Sequence, residues 1–256
     1  MITIHPTALV DSKAEIEDDV QIGPFTIVEA DVVIKKGTRI DSHVFIGNGS
    51  RIAEGCHIHK GAVVATLPQD LKFGGESTLF EIGAHTTIRE FCTLNRGTVA
   101  HGKSSIGEKC LLMAYAHVAH DCSIGNNVIM ANGVQLGGHV TIEDFAIIGG
   151  MTPVHQFCRV GTHCMVGGAY RAVQDVPPYI LASGEPLSFH GLNSVGLNRR
   201  GFSQETISIL KKVYKLIYRS NLNRTQALKK IREEMEPIPE VQHVLSFIES
   251  SDRGII

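Results

Sequence analysis

The residues best suited to proton transfer gather in the second half of the chain. His117-Val-Ala-His120-Asp121-Cys122 sets two imidazoles beside a carboxylate, Gly137-Gly138-His139 adds a third, and His155-Gln156 and His163 follow. Imidazole changes charge near neutral pH, which makes histidine the commonest general base. His120 and His139 stand nineteen residues apart. For each histidine alone two readings remain, a general base or an imidazole hydrogen-bonded within the fold.

Positioning these groups falls to a repeat of six. From Ile106 to Val166 every sixth residue is apolar, through Leu112, Val118, Ile124, Met130, Leu136, Ile142, Ile148, Val154 and Val160, and the residue two places before each is small. A helix would rotate such a repeat off any single face, whereas six is a multiple of the strand period. Short strands joined at corners follow, with one bulky and one small inward residue per hexad. Such self-similarity marks a parallel β-helix whose coils stack about 4.8 Å apart. Three hexads per coil make a triangular prism of eighteen residues per turn, so nineteen residues place His120 and His139 near one edge. The same register runs from Ile4 to Val64.

Two stretches interrupt it. The first, 65–81, contains Asp70 and Lys72 and leaves the phase unchanged, since Val64 and Ile82 differ by eighteen; the second, 97–103, precedes the return at Ile106. A long loop on a regular scaffold is more often functional than filler. Asp70 and Lys72 are therefore candidate substrate contacts, or a local ion pair. The repeat ends near Val166, and Pro177-Pro178 cannot sit inside a ladder. Beyond them Ser203, the pair Asn223 and Gln226, and Pro239 open three predicted helices. The expected organisation is mainly β: a β-helix over 1–186 and a small helical domain over 187–256.

At 256 residues and 43% hydrophobic content the chain suits a packed globular protein. No segment approaches the roughly 18 apolar residues of a membrane span. Met1-Ile-Thr-Ile-His enters the repeat at once, without the charged and apolar regions of a secretory leader, and a cytoplasmic location is expected. The net charge of −2 points to no nucleic acid, but ten Lys or Arg against Glu205 alone lie between Arg199 and Arg232. That stretch reads either as a solvated helix face or as a surface for an acidic partner. All six cysteines fall at the small inward position, where a free thiol packs as a small hydrophobe. Their spacing supports neither a disulfide framework nor a zinc site.

The motifs already given, with Gln69-Asp-Leu-Lys72, Arg96-Gly-Thr98, Ile147-Ile-Gly-Gly-Met151, Gln174-Asp-Val-Pro-Pro-Tyr179, Arg199-Arg-Gly-Phe202 and Tyr214-Lys-Leu-Ile-Tyr218, run the length of the chain. Together they closely resemble the acyl-carrier-protein-dependent UDP-N-acetylglucosamine O-acyltransferases of lipid A biosynthesis. The resemblance implies a left-handed coil and a homotrimer with active sites between subunits. It implies acyl carrier protein as donor, UDP-N-acetylglucosamine as acceptor, and neither a metal nor a cofactor.

By that resemblance His120 is the general base on the sugar 3-hydroxyl, Asp121 orients its imidazole, and the Gly138 amide is an oxyanion donor. Asp70, Lys72, His117, His139, His155 and Gln156 would contact the sugar nucleotide. Asn193 and Arg199, with Arg200 beside it, would reach the uridine and phosphates from a neighbouring subunit, where a guanidinium binds oxygens in pairs. Gly168 would lie along the acyl groove. Val195 stands where some members carry an acid, and Asn95 where a histidine is common.

Three other readings fit less well. A γ-type carbonic anhydrase pairs histidines five residues apart, but His117 plus five is the inward Cys122. The later N-acyltransferase of the same pathway carries a uridine-binding domain before its repeats. An ice-binding solenoid displays threonine ladders that this chain lacks. The acceptor is left open between a 3-hydroxy sugar and its 3-amino analogue.

Overall fold

The computed structural model describes residues 1–256. Its hexads become two- to four-residue strands arranged in three parallel sheets, of nine, eight and eight strands, which form the three faces of a left-handed β-helix. On the first face the inward residues stack as Ile4, Ile22, Ile40, Ile58, Ile88, Leu112, Met130, Ile148 and Val166. The winding is opposite to the right-handed crossovers of most parallel sheets. Its corners are tight turns with one residue in the left-handed region, among them Asp121 at φ 59° and His139 at φ 61°.

The inward ladders form one hydrophobic core that continues into the C-terminal segment. At the first coil the ladder is open, and Ile4 is 42% exposed because no coil lies beneath it. Inward threonines close their hydrogen bonds on corner carbonyls, as Thr26 does on Asp41 at 2.7 Å. All six cysteines are free and buried. Burial pushes the thiols of Cys92 and Cys122 up to about 12, so they stay protonated and serve as packing.

Both interruptions leave the same corner, between the second and third faces, on successive coils. They bond to each other there: the Thr78 hydroxyl donates to the Gly97 carbonyl at 2.6 Å and the Leu79 amide to Gly102 at 3.0 Å. The next coils bring His120 and then His139 to that corner.

After Val166 the first face gains a parallel strand, Ile180–Ser183, and an antiparallel one, Ser188–Leu192. The expected starting point of the helical segment, residue 187, thus lies in the turn of a hairpin that extends the β-helix. Four helices follow: α1 (Ser194–Arg199), α2 (Gln204–Tyr218), α3 (Arg224–Glu234) and α4 (Pro239–Glu249). α1 was not foreseen; Asn193 caps it. Ser203 caps α2, Asn223 and Gln226 form a capping box on α3, and Pro239 opens α4, as their residue types predict. Tyr214 of α2 donates to the Pro178 carbonyl at 2.5 Å, and the Arg159 guanidinium lies 4.1 Å over the Phe247 ring of α4.

Candidate active site

At the corner where both loops emerge, His120 Nδ1 is 2.8 Å from Asp121 Oδ2. The Asp121 side chain is fully buried, and the His120 side chain is 14% exposed. Asp121 also accepts from the Thr98 amide at 2.9 Å and the Thr98 hydroxyl at 2.7 Å. Burial alone would raise its pKa. Hydrogen bonds from His120 and from both Thr98 groups outweigh burial, with help from His139, and hold it below the usual carboxylate value. The pair is therefore a fixed carboxylate behind an imidazole whose other nitrogen is free to face a substrate.

That nitrogen faces Gly138. A Cβ there would come within 2.6 Å of His120 Nε2 and Cε1, so only glycine lets the backbone approach the imidazole this closely. The Gly138 amide makes no hydrogen bond within the chain. An available N–H beside the base is what an oxyanion would require.

His139, one coil on, meets His120 edge to face with centroids 5.2 Å apart and stacks on Phe157 at 4.5 Å. Its pKa is lowered first by burial, while the carboxylates of Asp121 and Asp70 act the other way. His117 lies on the second face, its Nδ1 2.7 Å from the Thr93 hydroxyl, and burial lowers its pKa too. Asp70 turns its own loop by accepting from the Lys72 amide at 3.0 Å, and Lys72 is exposed. His155 and Gln156 are exposed at the same corner one coil beyond Gly138.

The remaining expected residues lie elsewhere. Asn193 caps α1 and donates to the His163 carbonyl at 2.9 Å, while the Arg200 guanidinium sits 4.3 Å over Phe145, at the corner between the third and first faces. Arg199 is exposed at the end of α1. Gly168 lies at the third corner, against Gly150. Within one chain these residues do not meet His120.

Two contributors were not singled out in the sequence. Thr98 appeared only inside a motif, and His101, whose Nδ1 is 3.2 Å from the Asp121 carbonyl oxygen, not at all. The signal for both was the second interruption, which returns the chain to the corner it left.

Donor atoms of His120, Asp121 and His139 lie within 4.8 Å of one another, close enough to share a divalent ion. The double anchoring of Asp121 by Thr98 and the approach of Gly138 to Nε2 favour proton transfer instead.

A β-helix of hexads with a His–Asp pair on its corner is a hexapeptide-repeat transferase. The bacterial transferase hexapeptide model matches residues 13–48 and 103–138, and the second-domain model of UDP-N-acetylglucosamine O-acyltransferase matches 175–256. The acyl-(acyl-carrier-protein)–UDP-N-acetylglucosamine O-acyltransferase of Thiobacillus denitrificans is 51% identical over 257 residues, spanning all of both chains. Crystal structures of LpxA from Bacteroides fragilis (43% identity, TM-score 0.97, 99% of this chain and 100% of that one) and Acinetobacter baumannii (44%, 0.95, 99% of each) superpose on it. The chain belongs to the UDP-N-acetylglucosamine O-acyltransferase family.

Proposed function

We propose that this protein transfers a 3-hydroxyacyl group from acyl carrier protein to the 3-hydroxyl of UDP-N-acetylglucosamine, the first step of lipid A biosynthesis. The observation that carries the mechanism is the 2.8 Å contact of His120 with a buried Asp121, on the side away from Gly138. His120 Nε2 takes the hydroxyl proton as the sugar oxygen attacks the thioester carbonyl. Asp121 stabilises the resulting imidazolium, and the Gly138 amide donates to the tetrahedral oxyanion. Collapse breaks the carbon–sulfur bond, and the departing thiolate takes the proton back from His120.

Asp70, Lys72, His117, His139, His155 and Gln156 bind the sugar nucleotide in this reading. Asn193, Arg199 and Arg200 complete the site from the next copy in a homotrimer, which accounts for their lying on another corner of their own chain. Gly168 bounds the acyl groove. The basic run from Arg199 to Arg232 suits an acidic carrier protein. We read 1–186 and 187–256 as the two units of a cytoplasmic enzyme; no helix is long and apolar enough to cross a membrane.

The test is mass spectrometry of products after the protein is offered both acceptors, 3-hydroxy and 3-amino, with a ladder of 3-hydroxyacyl carrier proteins. An O-acylated UDP-N-acetylglucosamine is expected. Acylation of the amine alone would replace the acceptor, and no acyl product would overturn the reading.

A further inference from the structure

A second histidine cluster lies on the first face, toward the N-terminal end and outside the site already described. His57 points outward from the strand His57–Ile58, and His59 follows at its end; Asp41 is the residue adjacent to His59 in the preceding coil, and Glu90 comes from the following one. His57 Nε2 is 3.1 Å from Asp41 Oδ2, and His59 Nδ1 is 3.5 Å from the same oxygen. His59 Nδ1 also lies 3.6 Å from Glu90 Oε1.

The His57–Asp41 contact is a hydrogen bond, but the His59 contacts are not. His59 Nδ1 sits almost midway between two carboxylate oxygens and forms a hydrogen bond with neither. The two imidazoles stack with centroids 3.8 Å apart, an arrangement that disfavours two positive rings.

As a coordination shell the spacing is ordinary. Ligands about 2.0–2.1 Å from a tetrahedral ion are about 3.3 Å from one another, and the two nitrogen–oxygen separations of 3.1 and 3.5 Å bracket that edge. The donor atoms of Asp41, His57 and His59 all lie within 4.8 Å of one another. Arg39 Nε donates to Asp41 Oδ1 at 3.0 Å, which fixes the carboxylate and leaves Oδ2 facing the imidazoles. Glu90 is engaged differently: Arg89 donates to both of its oxygens, Nε to Oε2 at 2.9 Å and Nη2 to Oε1 at 3.0 Å, which keeps it beside His59 as an outer neighbour of the cluster.

We propose that Asp41, His57 and His59, with water completing the shell, bind a divalent transition-metal ion of the zinc or nickel class that staples two consecutive coils. Two imidazoles and carboxylate oxygen suit that class over calcium or magnesium. The coil so fastened is the one from which the Asp70 loop departs.

The experiment uses the full chain without a polyhistidine tag, stripped with EDTA, dialysed, and titrated with cobalt(II) while visible absorption is followed. One ion per chain with a tetrahedral spectrum, displaced by zinc, is expected, as is a rise in melting temperature with zinc. His57→Gln and His59→Gln should each weaken binding by about tenfold or more, with circular dichroism of the metal-free chain unchanged; Asp41→Asn serves if either fails to fold. His120→Ala should bind as the wild type does. Absence of stoichiometric binding, binding indifferent to His59→Gln, or binding lost in His120→Ala would each overturn the site.

Discussion

Thr98 holds Asp121 twice, through its amide at 2.9 Å and its hydroxyl at 2.7 Å, across 23 residues of chain. The second loop delivers that clamp to the corner that carries His120. Thr98 acts on the reaction through the carboxylate and is a positioning residue.

Thr98→Val should therefore lower kcat with little change in KM. A hydrogen bond to a charged group contributes about 1.5–3 kcal/mol, which is about ten- to a hundredfold in rate. Thr98→Ser should recover most of it. Steady-state kinetics with both substrates near saturation make the check, and equal kcat for valine and threonine would remove the clamp from the mechanism.

Gly138→Ala should inactivate without unfolding. Its Cβ would stand 2.6 Å from the His120 ring, and the imidazole must move. The backbone there needs no positive φ, so the melting temperature should hold. Adding His120→Ala to Gly138→Ala should cost little more, since groups that act as a unit are not additive. Full additivity of the two losses would separate them.

The placement of Arg199 away from His120 in its own chain leads to a mixing experiment. Arg199→Ala should raise KM for the sugar nucleotide by roughly tenfold, from loss of a charged partner. Chains carrying only Arg199→Ala, co-assembled with chains carrying only His120→Ala, should show more activity than the average of the two parents, because some interfaces then combine two intact halves. Activity no greater than that average would place the whole site within one chain.

His163 supplies a pH dependence. It stacks 4.7 Å from Phe145 and meets Phe202 edge to face at 4.9 Å. Burial first, then the Arg200 charge, lower its pKa to about 4. The unfolded chain, with a pKa of about 6.5, takes up a proton between those values that the native state does not. Above about 6.5 both states are neutral, and stability falls as pH drops from there toward about 4. His163→Phe should keep the stacking and lose this component. Melting temperatures from about pH 7.5 to 4.5 should diverge, the wild type dropping further; parallel curves would contradict the assignment.

Much of this architecture was legible because the hexad is a two-residue period written long: every inward residue from Ile106 to Val166 could be named from spacing alone. The proximity of His120 to His139 followed from the eighteen-residue coil. Thr98 was hidden because an excursion of variable length resets the spacing, leaving no periodic signal to pair residue 98 with 121. The hairpin 180–192 was hidden for a similar reason, since Pro177-Pro178 and Gly184-Glu-Pro186 flank strands whose alternation is short and broken. The pairing of Asp41 with His57 and His59 needed coil register together with outward side-chain direction. The exposure of Ile4 reflects an end effect that no repeat records.

The central claim is that His120 is the base. With both substrates saturating, His120→Ala should lose roughly 10²- to 10⁴-fold in kcat, while its melting temperature and its affinity for product stay those of the wild type. If the variant instead kept more than about a tenth of kcat, less than about 1.4 kcal/mol of barrier would be involved, and the proton would have to leave through another group, with His139 next in line.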